Sequence, residues 1–389
     1  MQSASISNTR PGHSPPGRRG RFNDMKWMRL LRVAILASFL AHAASGRTAC
    51  LAGGPDSQVV ARELRSASFT GSAIGTDPVR RFAVYLPAGY EASNERYPVV
   101  YYLPTSFDDY WASFDRRGAR GLLDRAIDAG VIGKFILVGV DMNTRIGASW
   151  CVNSPVTGNW EDFAVRELVP HVDASFRTLA TRDSRGIVGD FMGAYGAIRL
   201  GMAHPDVFGS VYAMHPVGTG SGVQIMHARP DWDLLASARS LDDLKGNGFA
   251  LIFTTIFQAH LPNTSRPPLF VDLPARKVDG KLVIDVELTD RLRNSFFIEA
   301  LVPRYAANLK SLRGFKFDWA RSDTNMDHIY SNHALTHKLN EFGIVHEAEE
   351  YNGTWAGRNW DEDSRIYTDV LPFFRRHLDF AATAGKGRD

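Results

Sequence analysis

Cysteine is nearly absent from this chain. Cys50 and Cys151 are the only two in 389 residues, and no Cys or His spacing of the kind that holds a structural metal accompanies them. Export would permit the two thiols to pair, and they could equally stay free. Long apolar runs are missing too: Val33 to Leu40 is far shorter than the roughly 20 residues a membrane span requires, which excludes a stable span there. A basic run with interleaved aromatics is absent, and with it the footprint of nucleic-acid binding. The formal charge of +3 does not reverse this, because residues 1–46 hold seven Lys/Arg and one acid and leave 38 basic against 41 acidic residues elsewhere. No internal repeat is evident, and no cofactor is expected.

What is present is ordinary globular composition, 44% hydrophobic and 22% charged. From Met25 a basic stretch, a short apolar run and an Ala41-x-Ala43 ending read as a signal peptide over 25–46. Residues 1–24 are then a disordered leader or a start read too early, and the expected location is exported, periplasmic or secreted. Residues 59–66 and 80–87 read as antiparallel strands, and 97–103 and 135–140 as buried strands separated by a helix near 117–129. A helix over 161–175 and strands at 186–188 and 209–214 follow. The pattern breaks between about 216 and 313 into loops, a hairpin near 278–282 and amphipathic stretches at 238–246 and 296–312, read as a cap. It resumes with a strand at 315–319, a helix at 331–342, a strand at 346–351 and a helix near 364–380. This alternation predicts one α/β domain over 47–389, a mostly parallel doubly wound sheet with helices on both faces and its site at the C-terminal strand ends.

One stretch organises the rest. Gly186-Ile187-Val188-Gly189-Asp190-Phe191-Met192-Gly193-Ala194 has the strand-turn-helix grammar of a nucleophile elbow, in which the central residue of Gly-x-Ser-x-Gly sits at the tip of a strained turn. The central residue here is Phe191. Shifting the turn to make Asp190 the tip would put Val188 and Met192 where small residues are needed, so the register holds. A benzyl group neither attacks a carbonyl nor gives up a proton.

With Tyr195-Gly196-Ala197-Ile198-Arg199-Leu200, His204-Pro205-Asp206-Val207-Phe208-Gly209-Ser210-Val211 and Asn153-Ser154-Pro155-Val156-Thr157-Gly158, the sequence resembles the putative-esterase group of the α/β-hydrolase fold from about residue 60 to 380. That group includes feruloyl and acetylxylan esterases, S-formylglutathione hydrolase and the mycolyltransferase antigens. The resemblance implies a Ser-His-Asp triad. Its serine falls on Phe191, its acid on the loop holding Asp323 and Asp327, and its histidine on Trp355, after Tyr351-Asn352-Gly353. Where the group carries His-Gly beside the oxyanion hole, this chain has Pro104-Thr105. Nucleophile and base are both replaced.

Asp190, His215, Asp323, Asp327 and His328 remain as candidates for acid-base chemistry. Pro104, Thr105, Ser106, Trp111, Met192, Arg358 and Trp360 are expected around the pocket, while His260, His333, His337 and His346 are expected at the surface. Three readings follow. The chain has lost serine chemistry and binds a carbohydrate or aromatic-ester-like ligand, or a partner, in the old cleft; or it is a hydrolase or lyase with a repurposed acid-base site; or it is a carboxylesterase using an unaligned serine, Ser106 or Ser154. The sequence leaves the oligomeric state open.

Overall fold

The computed structural model describes residues 57–106, 108–222, 226–355 and 359–380. The leader, the signal-peptide stretch, Cys50 and Arg358 lie outside these. Among the described residues no helix is long and apolar enough to cross a membrane.

An eight-stranded sheet forms the centre. Its strands are β1 (Gln58–Arg65), β2 (Val79–Leu86), β3 (Val99–Leu103), β4 (Ile136–Val140), β5 (Arg185–Asp190), β6 (Ser210–Met214), and then, after the hairpin strands β7 (Ala275–Val278) and β8 (Lys281–Ile284), β9 (Gly314–Ala320) and β10 (Glu347–Tyr351). The order is β1-β2-β4-β3-β5-β6-β9-β10. β1 pairs with β2 and β2 with β4 antiparallel, and every later neighbour is parallel. β3, β4, β5, β6 and β9 are buried along their whole length, as strands covered on both faces must be. Edge strand β10 is instead charged. Glu347, Glu349 and Glu350 pair with Arg376, Arg365 and Arg321, which blunts the exposed ladder.

The helices are α1 (Ala119–Asp128), α2 (Val169–Ser175), α3 (Met192–Ala203), α4 (Gly248–His260), α5 (Val286–Phe296), α6 (Ile298–Lys310), α7 (Met326–Glu341) and α8 (Leu371–His377). Alternate residues of the strands feed two cores. Tyr101, Leu103, Ile187 and Val211 pack with α3 and the 216–313 segment. Tyr102, Val188, Tyr212 and Met214 pack with α1 and α8 on the opposite face.

Several elements differ from the sequence reading, α5 among them, which lies just before the amphipathic stretch expected at 296–312. The helix expected over 161–175 begins with a short turn at Trp160–Asp162, widens into a π-helical turn at Phe163–Leu168 and only then becomes α2. The stretch at 238–246 is a 3₁₀ turn, Leu241–Leu244, closed by a reciprocal Ser240–Asp243 capping box. Just after it, α4 was not foreseen: nine of its thirteen residues are apolar or glycine and the four polar ones, Thr254, Thr255, Gln258 and His260, are themselves buried, so no solvated polar face reveals its period.

The connection from β5 to α3 depends on two glycines. A Cβ on Gly189 would overlap the carbonyl of Gly193, and one on Gly193 would overlap the carbonyl of Leu103. Both neighbours are backbone and cannot swing aside. Gly193→Ala is therefore expected to destabilise the fold by about 1–3 kcal/mol or more, read as a lower denaturant midpoint at unchanged slope.

Candidate functional site

Phe191 occupies the tip between β5 and α3 with φ 57° and ψ −110°. A positive φ is rare for a bulky residue and costs on the order of 1–3 kcal/mol unless its surroundings enforce it. They do so here: the Phe191 N–H donates to Met214 O at 3.0 Å, and the Phe191 carbonyl accepts from Tyr195 N at 3.1 Å. The strained backbone of a nucleophile elbow is thus intact, and it presents a phenyl ring.

That ring stacks on Trp355 with centroids 4.3 Å apart and planes 10° from parallel. His328 meets its edge at 5.2 Å, and His215 lies 6.1 Å away. The two positions that the resemblance assigns to nucleophile and base are adjacent in space, joined by an aromatic face contact. Neither carries a proton that can be transferred.

Beside the stack lies a closed hydrogen-bonded cluster. His215 ends β6, also at positive φ, and is buried. Its Nδ1 accepts the Ala320 N–H at 2.9 Å, so Nε2 carries the proton and donates to Asp323 Oδ2 at 2.7 Å. The same Oδ2 accepts from His328 Nδ1 at 2.7 Å, and the His328 Nε2 faces the Asn325 amide Nδ2 at 2.8 Å. The Asn325 N–H donates to Asp323 Oδ1 at 2.8 Å. Burial alone would raise the Asp323 carboxyl, but the hydrogen bonds from His215, His328 and Asn325 outweigh it and hold Asp323 well below the usual carboxylate range. Burial lowers His215, against the opposing pull of Asp323.

His215, Asp323 and His328 also match the donor set of a two-histidine, one-carboxylate cation site. The hydrogen bonds argue against that use. A metal on His215 Nε2 would require the proton on Nδ1, where it would confront the Ala320 N–H donor. Both rings are held in the tautomer that points a proton at Asp323.

The remaining candidates separate. Asp327 does not orient the adjacent His328; it pairs with Arg229, whose guanidinium also donates to Asn325 Oδ1 at 2.8 Å. Asp190 does not enter the cleft. The alternation of β5 sends it to the opposite sheet face with Val188, where it is buried and its Oδ1 has no hydrogen-bond partner among the described residues. Burial pushes its carboxyl up to about 7, while Arg117 and Asn359 oppose the shift. Trp360 and Trp111 are corrected likewise, packing on that face against Tyr102 and Phe114. The Thr105 hydroxyl is buried without a partner among the described residues, and the Pro104 carbonyl closes over Gly193. Ser106 donates to Met192 Sδ at 3.7 Å, and buried Ser154 donates to Gln258 O at 2.6 Å, so neither hydroxyl is aimed at a base. His260 is not a surface residue; it is buried against Phe296.

Above the stack a cavity of about 200 Å³ opens between α3, α4, α5 and the start of α7. Trp150, Ile252, Phe253, Ile256, Phe296 and Phe297 form its apolar wall, while Phe191 and Met192 form its floor. Arg229, Asn325, Asp327 and His328 gather at one end. An apolar chamber with a few convergent polar groups is the usual form of a small-molecule site. Half of these wall residues come from α4, the helix that sequence periodicity does not show.

The sheet order, the elbow and the chamber roofed by the segment between β6 and β9 are those of an α/β-hydrolase fold. Residues 73–243 match the family described as Putative esterase. An esterase of Mycobacterium tuberculosis is 27% identical over 291 residues, 73% of this chain and 54% of that protein. An endo-1,4-beta-xylanase/feruloyl esterase of Xylanibacter ruminicola is 31% identical over 134 residues, 32% of this chain and 18% of that protein. The chain spans about half the length of the mycobacterial relative it matches. In fold it is similar to a ferulic acid esterase (TM-score 0.56, 19% identity, 83% of this chain and 99% of the other) and to an S-formylglutathione hydrolase of Agrobacterium tumefaciens (0.54, 15%, 85% and 98%). Over residues 73–243 the chain is thus similar to the putative-esterase group, on a scaffold with the α/β-hydrolase fold.

Two expectations about the carboxylates follow. Asp190, at about 3.9 unfolded and about 7 folded, binds its proton more tightly in the folded state, so its contribution to stability falls as pH rises from 4 to 7 and is flat beyond, by roughly 4 kcal/mol in all. Subtracting the denaturation profile of Asp190→Asn from that of the native chain isolates this slope. Asp323 has the opposite sign: its stabilisation is complete above about pH 4 and is lost only as pH falls toward its depressed folded value. Asp323→Asn is expected to cost about 3 kcal/mol at neutral pH, with the gap closing in acid.

Proposed function

We propose that this esterase-family protein binds an aromatic or acyl ester-like ligand in the chamber above the elbow and does so without serine chemistry. The observation that carries this reading is the Phe191–Trp355 stack. It fills the space where a serine would meet its base, and loss of nucleophile and base together removes the proton path that a covalent acyl intermediate needs. The chamber suits a planar or acyl body, with Asn325, His328 and Arg229 placed for its polar end.

A second reading has its own support. The relatives are named as esterases, and the Asp323–His328 pair reproduces the carboxylate-to-Nδ1 arrangement that orients a general base. In that reading His328 Nε2 exchanges Asn325 for a water, takes its proton as the oxygen attacks the acyl carbon, and the departing alkoxide leaves protonated. The active-hydrolase reading then survives through a relocated base, with no role for Phe191.

The two readings part in one assay. Short acyl, feruloyl and acetyl-sugar esters are expected to show no hydrolysis above the buffer rate, whereas ferulate quenches tryptophan emission from Trp150 and Trp355. At about 0.3 kcal/mol for each of roughly 14 non-hydrogen atoms, its dissociation constant is about 1 mM or tighter. Phe253→Asp abolishes the quenching. Ester turnover that disappears in His328→Ala overturns the binding reading in favour of the second.

A further inference from the structure

The hairpin of β7 and β8 is incomplete as it stands. Every residue of β8 is exposed, Leu282 to 40%, Val283 to 43% and Ile284 to 42%, and Val286 just beyond it to 69%. A two-stranded ribbon is marginal in water, and an apolar edge is a template for another strand.

The hairpin's own pairing shows which groups are available. Asp279 and Gly280 both have positive φ, 50° and 73°, the two-residue turn that makes Val278 and Lys281 a hydrogen-bonded pair. Pairs then alternate. Arg276 with Val283 is the next bonded pair, and Pro274 with Asp285 the one after, where the Asp285 N–H donates to Pro274 O at 2.9 Å. Leu282 and Ile284, opposite Lys277 and Ala275, therefore turn their N–H and C=O groups to the free edge. Among the described residues neither bonds to another segment.

We infer that β8 pairs antiparallel with β8 of a second copy of this chain, about a two-fold axis at Val283. The strand reads Lys281-Leu282-Val283-Ile284-Asp285, and reversal about its centre is self-complementary. Lys281 faces Asp285 of the second copy, and the reciprocal pair forms on the other side of the axis. Leu282 opposes Ile284 as a hydrogen-bonded pair, twice, which uses all four outward N–H groups and carbonyls. Val283 meets Val283 as a non-bonded pair. Neighbouring registers are worse: a centre at Leu282 sets turn residue Gly280 against Ile284, and a centre at Ile284 drives Val286, the first residue of α5, into the ladder. Lys281 has no ion pair among the described residues and is free to take this one. Asp285 caps α5 by accepting from Leu288 N through Oδ1, which leaves Oδ2 for the lysine. The result is a four-stranded ribbon joining two molecules.

The test is the oligomeric state of the purified protein in a Cys50→Ser background, by light scattering and sedimentation. A dimer is expected. Val283→Cys, at the non-bonded pair where Cα atoms sit about 4.5 Å apart, is expected to link into a covalent dimer under mild oxidation. Leu282→Cys is not, because its own equivalent lies across the axis beyond about 7 Å. Lys281→Asp sets like charges opposite each other and is expected to weaken the dimer at least tenfold, with circular dichroism and tryptophan emission unchanged. A native chain that sediments as a monomer at the highest concentration attainable overturns the inference, as does a dimer that Lys281→Asp leaves intact and Val283→Cys fails to link.

Discussion

The structure rests on the contact between the backbones of Gly189 and Gly193 and the carbonyl of Leu103. With no Cβ on either glycine, β5 turns into α3 within one residue, and that residue takes φ 57°. The fold retains this arrangement although the side chain at the tip cannot exploit it. The backbone strain that would expose a nucleophile instead aims a phenyl ring at the next loop. Trp355 meets it face to face, and the site becomes an aromatic floor.

Three buried aspartates show how environment assigns different roles to one side chain. Asp323 is anionic because three donors converge on it. Asp318 lies at the end of β9 with Arg365 at 2.9 Å and the Tyr212 hydroxyl at 2.7 Å; it also accepts from the His215 N–H at 3.2 Å and so helps hold His215 at positive φ. Burial raises Asp318, with Arg365 opposing. Asp190 has neither set of partners, and burial dominates it. His215 is the link between the first two, bound to Asp318 through its backbone and to Asp323 through its ring.

The sheet, the elbow and its register were legible because they are written in local signals: continuous apolar runs for covered strands, small residues at fixed spacing for a close approach, and Phe191 between them. The chamber was not. Much of its wall comes from α4, whose polar residues Thr254, Thr255, Gln258 and His260 are buried along with its apolar ones, so no solvated face marks its period. The side of the sheet that Asp190, Trp111 and Trp360 join is a matter of strand parity and of loop path, and proximity to Phe191 in the chain pointed the wrong way. The cluster joins His215 to Asp323 and His328, more than a hundred positions further along the chain, and no spacing announces that meeting.

By itself the sequence determined that this is a parallel-sheet α/β protein with a hydrolase elbow lacking its serine, because strand burial and backbone crowding act over a few residues. Only the tertiary structure decided what stands around the Phe191 tip. The facing of Phe191 and Trp355, the tautomers of two histidines around Asp323 and the apolar chamber above them all depend on which loops meet over the strand ends. That meeting is set by packing across the whole chain.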